Sequence, residues 1–295
     1  MDKLFFVIIS LFILFFQIFS NNVAIISIPT CKTIASELSI VENNGFSVIT
    51  NPSLLVNLKS QYNSEYTKIF YYGMTTYDLL SISTIVDNKI GIGLVFGRFT
   101  SGEINFRDID GVLTNETFEY LYGITSLGVA AKLLDDEGNT LQLGFSGYIF
   151  LEKINIEVIY FGFSNGLIYD LKFKNKIFKA IKIGSIIKSI STSKDFVYNF
   201  GLGFKISESM LIFGYEDMFI KRNSKYKLSY IINIYTSKDF RKKLNLNLGY
   251  VFDIHNNYSI GSGVELEFYN FLISYSFSNH KYLQSTHAIQ IGLLY

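Results

Sequence analysis

The chain has 295 residues, 26 basic against 25 acidic, with 49% hydrophobic residues and only 17% charged. A single Cys excludes a disulfide framework, the balanced charge gives no basis for nucleic-acid binding, and the apolar content excludes a disordered chain. Soluble domains carry roughly a quarter charged residues, so the shortfall points to a surface that meets something other than water.

Residues 1–20 read as an export signal. Met1-Asp2-Lys3 is a short charged start, Leu4–Ser20 is apolar except at Ser10, Gln17 and Ser20, and Ser20 is a small residue at a plausible cleavage point before Asn21-Asn22. The alternative, a retained anchor, sits at the lower edge of spanning length and lacks a positive cytoplasmic flank. Cys31 follows Ile28-Pro29-Thr30, a poor match to the small-residue box before a lipidated cysteine, and reads as an ordinary thiol.

From about residue 64 onward, large apolar residues alternate with small or polar ones over stretches of ~10 positions, each closed by a polar turn. Phe196, Tyr198, Phe200, Leu202, Phe204 and Ile206 share one face; Val197, Asn199, Gly201, Gly203 and Lys205 share the other. Leu244, Leu246, Leu248, Tyr250 and Phe252 likewise oppose Asn245, Asn247, Gly249 and Val251. In the next stretch Tyr258, Ile260, Val264 and Leu266 oppose Ser259, Gly261, Gly263, Glu265 and Glu267. A period of two is the strand signature, because successive side chains point to opposite faces. The second face is dominated by Gly, Ser and Asn, which suits an enclosed lumen better than bulk water. The first is almost wholly Leu, Ile, Phe and Tyr, which suits lipid.

About fourteen such stretches occur, an even number as in single-chain bacterial barrels, and closure would remove the strand edges that lipid cannot tolerate. The expected fold is therefore all-β: a membrane-spanning antiparallel β-barrel of about fourteen strands, residues 61–295. Short turns are expected at Asp87-Asn88, Ser207-Glu208 and Tyr269-Asn270, with longer outer loops over 100–116, 152–160 and 278–286. Lys205, Glu265 and Glu267 stand out as lumen-facing charges, with Glu119 a further candidate.

The last strand places Ile289, Ile291, Leu293 and the terminal Tyr295 on one face. This resembles the C-terminal signal by which outer-membrane barrels are recognised by the barrel assembly machinery; the plainer reading is a last strand that happens to end in Tyr. Little here suggests catalysis. His255, His280 and His287 have no metal-ligand spacing, and a hydrolase would need Ser, His and an orienting partner aligned on neighbouring strands, a role into which His287 with some Ser would have to be forced. The acidic stretch Glu103, Asp108, Asp110 and Glu116 misses the positions a calcium loop needs. Gly91-Ile92-Gly93 and Gly201-Leu202-Gly203 alternate within strands and open no helix, so they read as room inside the barrel. The chain is expected to be non-catalytic, with no cofactor and no metal.

Ser47-Val48-Ile49-Thr50-Asn51-Pro52-Ser53-Leu54-Leu55, just ahead of the barrel, resembles the Asn-Pro-Ala-Gly-Leu element of the fatty-acid transporter (FadL-like) superfamily. The closest-looking branch is the PorV/PorQ family, and Tyr275-Ser276-Phe277 with Thr286-His287-Ala288 resembles the last two strands of that family. The resemblance implies that residues 21–60 form a periplasmic segment whose hatch sits in the lumen, carrying Asn51 and Pro52, and that the lumen charges pair with that hatch or line a polar path. Ser53 and Leu54 depart from the usual Ala and Gly. Taken alone, Asn-Pro is a turn. The resemblance further implies a cell outer-membrane location and either transport or a secretion-associated role. The partners would be outer-membrane lipid and a hydrophobic small molecule or secretion components. The competing class is a soluble exported β protein that binds a partner or ligand.

Overall fold

The computed structural model describes residues 30, 44–71, 75–107, 113–136, 138–153, 157–175, 177–190, 196–218, 224–237, 242–255, 257–281 and 285–295. The expected signal at 1–20 and Cys31 lie outside the described residues.

The alternating stretches form fourteen strands. These are β1 (Tyr62–Tyr71), β2 (Thr75–Val86), β3 (Ile90–Arg107), β4 (Leu113–Asp136) and β5 (Asn139–Lys153). Next come β6 (Glu157–Lys172), β7 (Phe178–Ile190), β8 (Phe196–Ile206), β9 (Ser209–Met218) and β10 (Lys225–Thr236). The last are β11 (Lys242–Asp253), β12 (Tyr258–Phe268), β13 (Phe271–His280) and β14 (Thr286–Leu294). Each strand pairs with its chain neighbours, and β1 pairs antiparallel with β14 from Asn63↔Leu294 to Phe70↔His287, which closes the barrel. Backbone bonds of 2.8 Å run both ways between Tyr62 and Tyr295 and seal the seam at one end.

The burial alternates with period two, as the composition of the two faces requires. On β12, Ser259, Gly261, Gly263, Glu265 and Glu267 are buried while Tyr258, Ile260, Val264, Leu266 and Phe268 are exposed. Side chains as apolar as Ile260, at 55% exposure, and Ile291, at 53%, point away from the barrel. In water this would leave a contiguous apolar belt; in a bilayer it is the lipid contact. Aromatic rings gather at the rims of the belt. Tyr215, Tyr226, Phe252, Tyr250 and Tyr258 form a chain of ring contacts at one end of β9–β12, and Phe173, Phe178, Phe204 and Phe213 form another at the opposite end of β6–β9. Such girdles are what amphipathic rings do at a membrane interface.

One end of the barrel carries tight turns: Asp87 and Asn88 both adopt positive φ (50° and 55°), as do Ser207 (54°) and Tyr269 (55°). Asp and Asn tolerate this region better than most residues, which is why Asp87-Asn88 makes a two-strand connection. The long outer loops expected at the other end are a correction. The β3–β4 connection expected over 100–116 is mostly strand, because β3 continues to Arg107 and β4 begins at Leu113, paired through Glu103↔Glu119, Ile104↔Phe118 and Asn105↔Thr117. The 152–160 loop shrinks for the same reason, with β5 reaching Lys153 and β6 starting at Glu157. Backbone pairing carries the strands on where polar residues in the sequence resemble loop.

Ahead of β1, residues 44–58 fold inside the barrel as one short helical turn, α1 (Ser47–Thr50), and a 3-10 helix (Pro52–Asn57). Phe46, Val48, Leu54 and Leu55 are almost fully enclosed, and the segment packs against β2–β6. This segment is a plug lying within the ring of strands, against the wall of the closed barrel.

The lumenal plug and its lining

The plug folds around Asn51 and Pro52. Asn51 is extended (φ −150°) and caps the 3-10 helix, its Oδ1 accepting from Ser53 N at 3.3 Å and from Ser53 Oγ at 2.6 Å. Pro52 follows at the first helical position, where its missing N–H costs nothing. Just before, Asn44 Oδ1 accepts from Phe46 N at 3.1 Å and Phe46 O from Thr50 N at 3.1 Å. The polar groups of this buried segment are thus largely met by local bonds, as an enclosed backbone requires.

The wall is shaped to receive it. A Cβ built at Gly144 would overlap Ser53 N and the Pro52 carbonyl; at Gly91 it would overlap the Leu55 carbonyl; at Gly166 it would overlap Asn51 Oδ1. The lumen-facing glycines of β3, β5 and β6 are therefore a cradle that lets the plug backbone approach the wall. The room that the sequence marks at Gly91 is filled by the plug.

Among the described residues, polar links of four kinds fasten the plug. Asn57 and Gln142 exchange amide bonds of 2.7 and 3.1 Å, Lys188 Nζ donates to Ile49 O at 2.8 Å, and Tyr148 Oη donates to Val48 O at 3.4 Å. The fourth is ionic: Lys59 Nζ lies 2.8 Å from Glu265 Oε1 and also binds Glu267 Oε1, with all three side chains at most 11% exposed. Burial on its own would lower the Lys59 pKa, but attraction to Glu265 and Glu267 outweighs it, so the ammonium is held well above its ordinary value. Glu265 also accepts from Asn245 Nδ2 at 3.2 Å, and Lys243 Nζ is 3.6 Å from Glu267 Oε2.

The charges singled out in the sequence thus divide. Glu265 and Glu267 meet on the plug's Lys59, a partner that sequence reasoning missed because it lies in a polar turn with no local spacing to betray it. Lys205 faces the same cavity, about 860 Å³ at the tight-turn end between plug and wall, where Lys172, Lys179 and Glu208 also open. Its own charge is exposed, with no carboxylate in ion-pair reach among the described residues. Glu208 binds Lys179 across that rim, and this hydrogen bond, with the pull of Lys179 and Lys205, holds its carboxyl below the usual range. Glu119 is a correction: Tyr120 and Tyr122 take the inward positions of β4, so Glu119 points outward, where Thr100 Oγ1 donates to it.

Beyond the plug, the β2–β5 wall is aromatic. Tyr77 and Phe99 have ring centroids 6.0 Å apart, Phe99 and Tyr120 5.8 Å, and Tyr122 and Phe150 5.6 Å. Tyr120 Oη donates to Glu152 Oε1 at 2.9 Å, whereas the buried Tyr77 hydroxyl has no hydrogen-bond partner among the described residues. These rings, with Ile69, Leu79, Val95 and Ile124, form one apolar cluster with the plug's Phe46, Val48 and Leu55.

Ile289, Ile291, Leu293 and Tyr295 all face outward on β14, each at least 36% exposed. His287 shares that outward face, with Tyr275 Oη 2.7 Å from Nδ1 and Ser285 Oγ 3.1 Å from Nε2. Asp108 and Asp110 lie outside the described residues, as do the side chains of Glu103 and Glu116.

No family model matches the chain, and no curated protein matches it. Among solved structures, the toluene transporter TodX of Pseudomonas putida aligns over 92% of this chain and 98% of its own, at 9% identity and a TM-score of 0.58. The TodX deltaS2S3 mutant, a monoaromatic hydrocarbon channel, aligns over 90% and 97%, at 9% identity and a TM-score of 0.59. The KdgM porin covers 79% of this chain and 99% of its own at 13% identity and a TM-score of 0.42. At these identities the likeness is one of fold. With its closed sheet, lipid-facing belt and aromatic girdles, the chain is a fourteen-strand barrel of the outer-membrane kind, as the location expected from the sequence requires.

Proposed function

We propose that the barrel passes a small hydrophobic compound across the outer membrane, as a non-catalytic transporter of the FadL-like type, in its PorV/PorQ branch. The observation that carries this reading is the joining of plug and aromatic wall into one apolar cluster of Tyr77, Phe99, Tyr122, Phe150, Phe46 and Leu55. A water-filled porin would present a polar interior, whereas rings offer a greasy solute contact area in place of water. The two TodX structures, a toluene transporter and a monoaromatic hydrocarbon channel by name, support the same solute class. A secretion-associated barrel of the same family accounts for the plug but gives no reason for the rings.

The test is uptake of a labelled aromatic hydrocarbon by cells that differ only in this chain. Expression should raise initial uptake several-fold, and Tyr122→Glu, which puts a carboxylate among the rings, should abolish the gain while the barrel stays folded. Equal uptake with and without the protein would contradict the proposal.

A further inference from the structure

Outward positions of a barrel strand are apolar because an ionised side chain is costly in hydrocarbon and tolerable only near the interface. The first three strands break this rule together. Lys68 on β1 is in register with Asp78 on β2, and Asp78 with Arg98 on β3. Their strand neighbours Thr67, Ile69, Tyr77 and Leu79 are buried inward, so alternation turns the charged residues toward lipid. The side chains of Lys68 and Asp78 are 40% and 32% exposed, and Arg98 is exposed.

The row is organised rather than incidental. Lys68 Nζ lies 3.4 Å from Asp78 Oδ1, Tyr66 Oη donates to that same oxygen, and the ammonium sits 5.9 Å from the centre of the Phe70 ring. Asp78 therefore offsets one cation, and Arg98 is left with no ion pair among the described residues. Its height is equally specific. Toward the tight-turn end the outward residues are Leu80, Ile82, Leu94 and Phe96, all exposed; toward the other end they are Thr76 and Thr100 beside the ring of Phe70. The row thus stands where the apolar belt gives way to polar surface, the level of lipid headgroups.

We propose that Lys68 and Arg98, flanking Asp78, hold the phosphate of a membrane lipid headgroup. The Arg98 guanidinium supplies a two-pronged donor and Lys68 a second cation, while Asp78 offsets part of their charge. Within the row two cations face one carboxylate, a surplus positive charge for an anion, and Glu119, the next carboxylate on this face, is engaged by Thr100. The lipid-facing position makes a lipid phosphate the occupant in reach.

The experiment measures lipid phosphorus, and lipid adducts by native mass spectrometry, on the full chain purified from membranes in mild detergent. Lys68→Gln/Arg98→Gln should retain about tenfold less phosphate-bearing lipid than the parent, equal to ~1.4 kcal/mol. Asp78→Asn should retain as much or more, since a competing anion is gone; a merely structural role would lower retention there too. Lys242→Gln, at the opposite end of the barrel, should change nothing. Heat-modifiable gel migration certifies folding, and Arg98→Gln alone should also lower lipid retention should the double variant fail to fold. Unchanged phosphorus in the folded variants overturns the proposal. So does loss of a dimer with phosphorus unchanged, which would assign the row to a contact between two copies.

Discussion

The side-chain oxygen of Asn51 accepts from both the N–H and the hydroxyl of Ser53, so one buried residue starts the 3-10 helix and fixes where the plug turns. Replacing such a cap with Ala costs ~0.5–2 kcal/mol. Asn51→Ala should therefore lower the thermal midpoint of the folded protein modestly while leaving the strand content unchanged by circular dichroism. Gly144 tests the same contact from the wall. A side chain there meets plug backbone, which unlike a flexible side chain cannot swing away. Gly144→Val should displace the plug from its cradle, read as faster proteolysis of the segment before β1 in a barrel that still migrates as folded. Asn51-Pro52 was legible in the sequence as a local motif. Gly144 was not, because what makes it necessary lies some ninety residues earlier in the chain.

Between elements, the strongest single link is the ion triad joining the plug to β12. Removing one member of a buried pair typically costs ~3–5 kcal/mol, since it strands an uncompensated charge. Lys59→Met should loosen the plug by that order, and adding Glu265→Gln and Glu267→Gln should recover much of the loss; hydrogen exchange of the plug amides reports both. The pH dependence follows from the raised Lys59 value. A cation whose pKa is higher folded than unfolded contributes its full stability below its unfolded pKa and loses it only as pH rises through the folded one. Plug exchange should consequently show no lysine-linked loosening from neutral pH up to the ordinary lysine range.

The elements themselves were readable to within a few residues, because two-residue alternation is imposed on every strand by the difference between lipid and lumen. Reading failed where neither medium is in contact. Past Thr100, β3 and β4 extend with polar residues and bulged register, held by each other's backbone, and polarity there suggested loop. Glu265 and Glu267 were legible as the acidic pair on a face of Gly and Ser. Lys59 was hidden, being an ordinary lysine in a polar turn.

For the whole molecule, the lipid belt and the seam set the terms. Val264 is 43% exposed on the outer face, and Val264→Arg near the middle of β12 should destabilise the inserted barrel by ~2–4 kcal/mol. Tyr295 follows β14 and pairs with Tyr62, and Tyr295→Asp should reduce the heat-modifiable, membrane-inserted fraction without lowering the amount of chain made. The central claim is that the segment ahead of β1 interrupts the lumen of this closed barrel, leaving an aromatic wall on one side and a charged cavity at the tight-turn end in place of a continuous aqueous pore. Single-channel conductance in a planar bilayer tests it most directly. Wild-type protein should show little steady current, while Lys59→Met and Gly144→Val should open long-lived conducting states. A large constant conductance in the wild type, matched by both variants, would contradict the account.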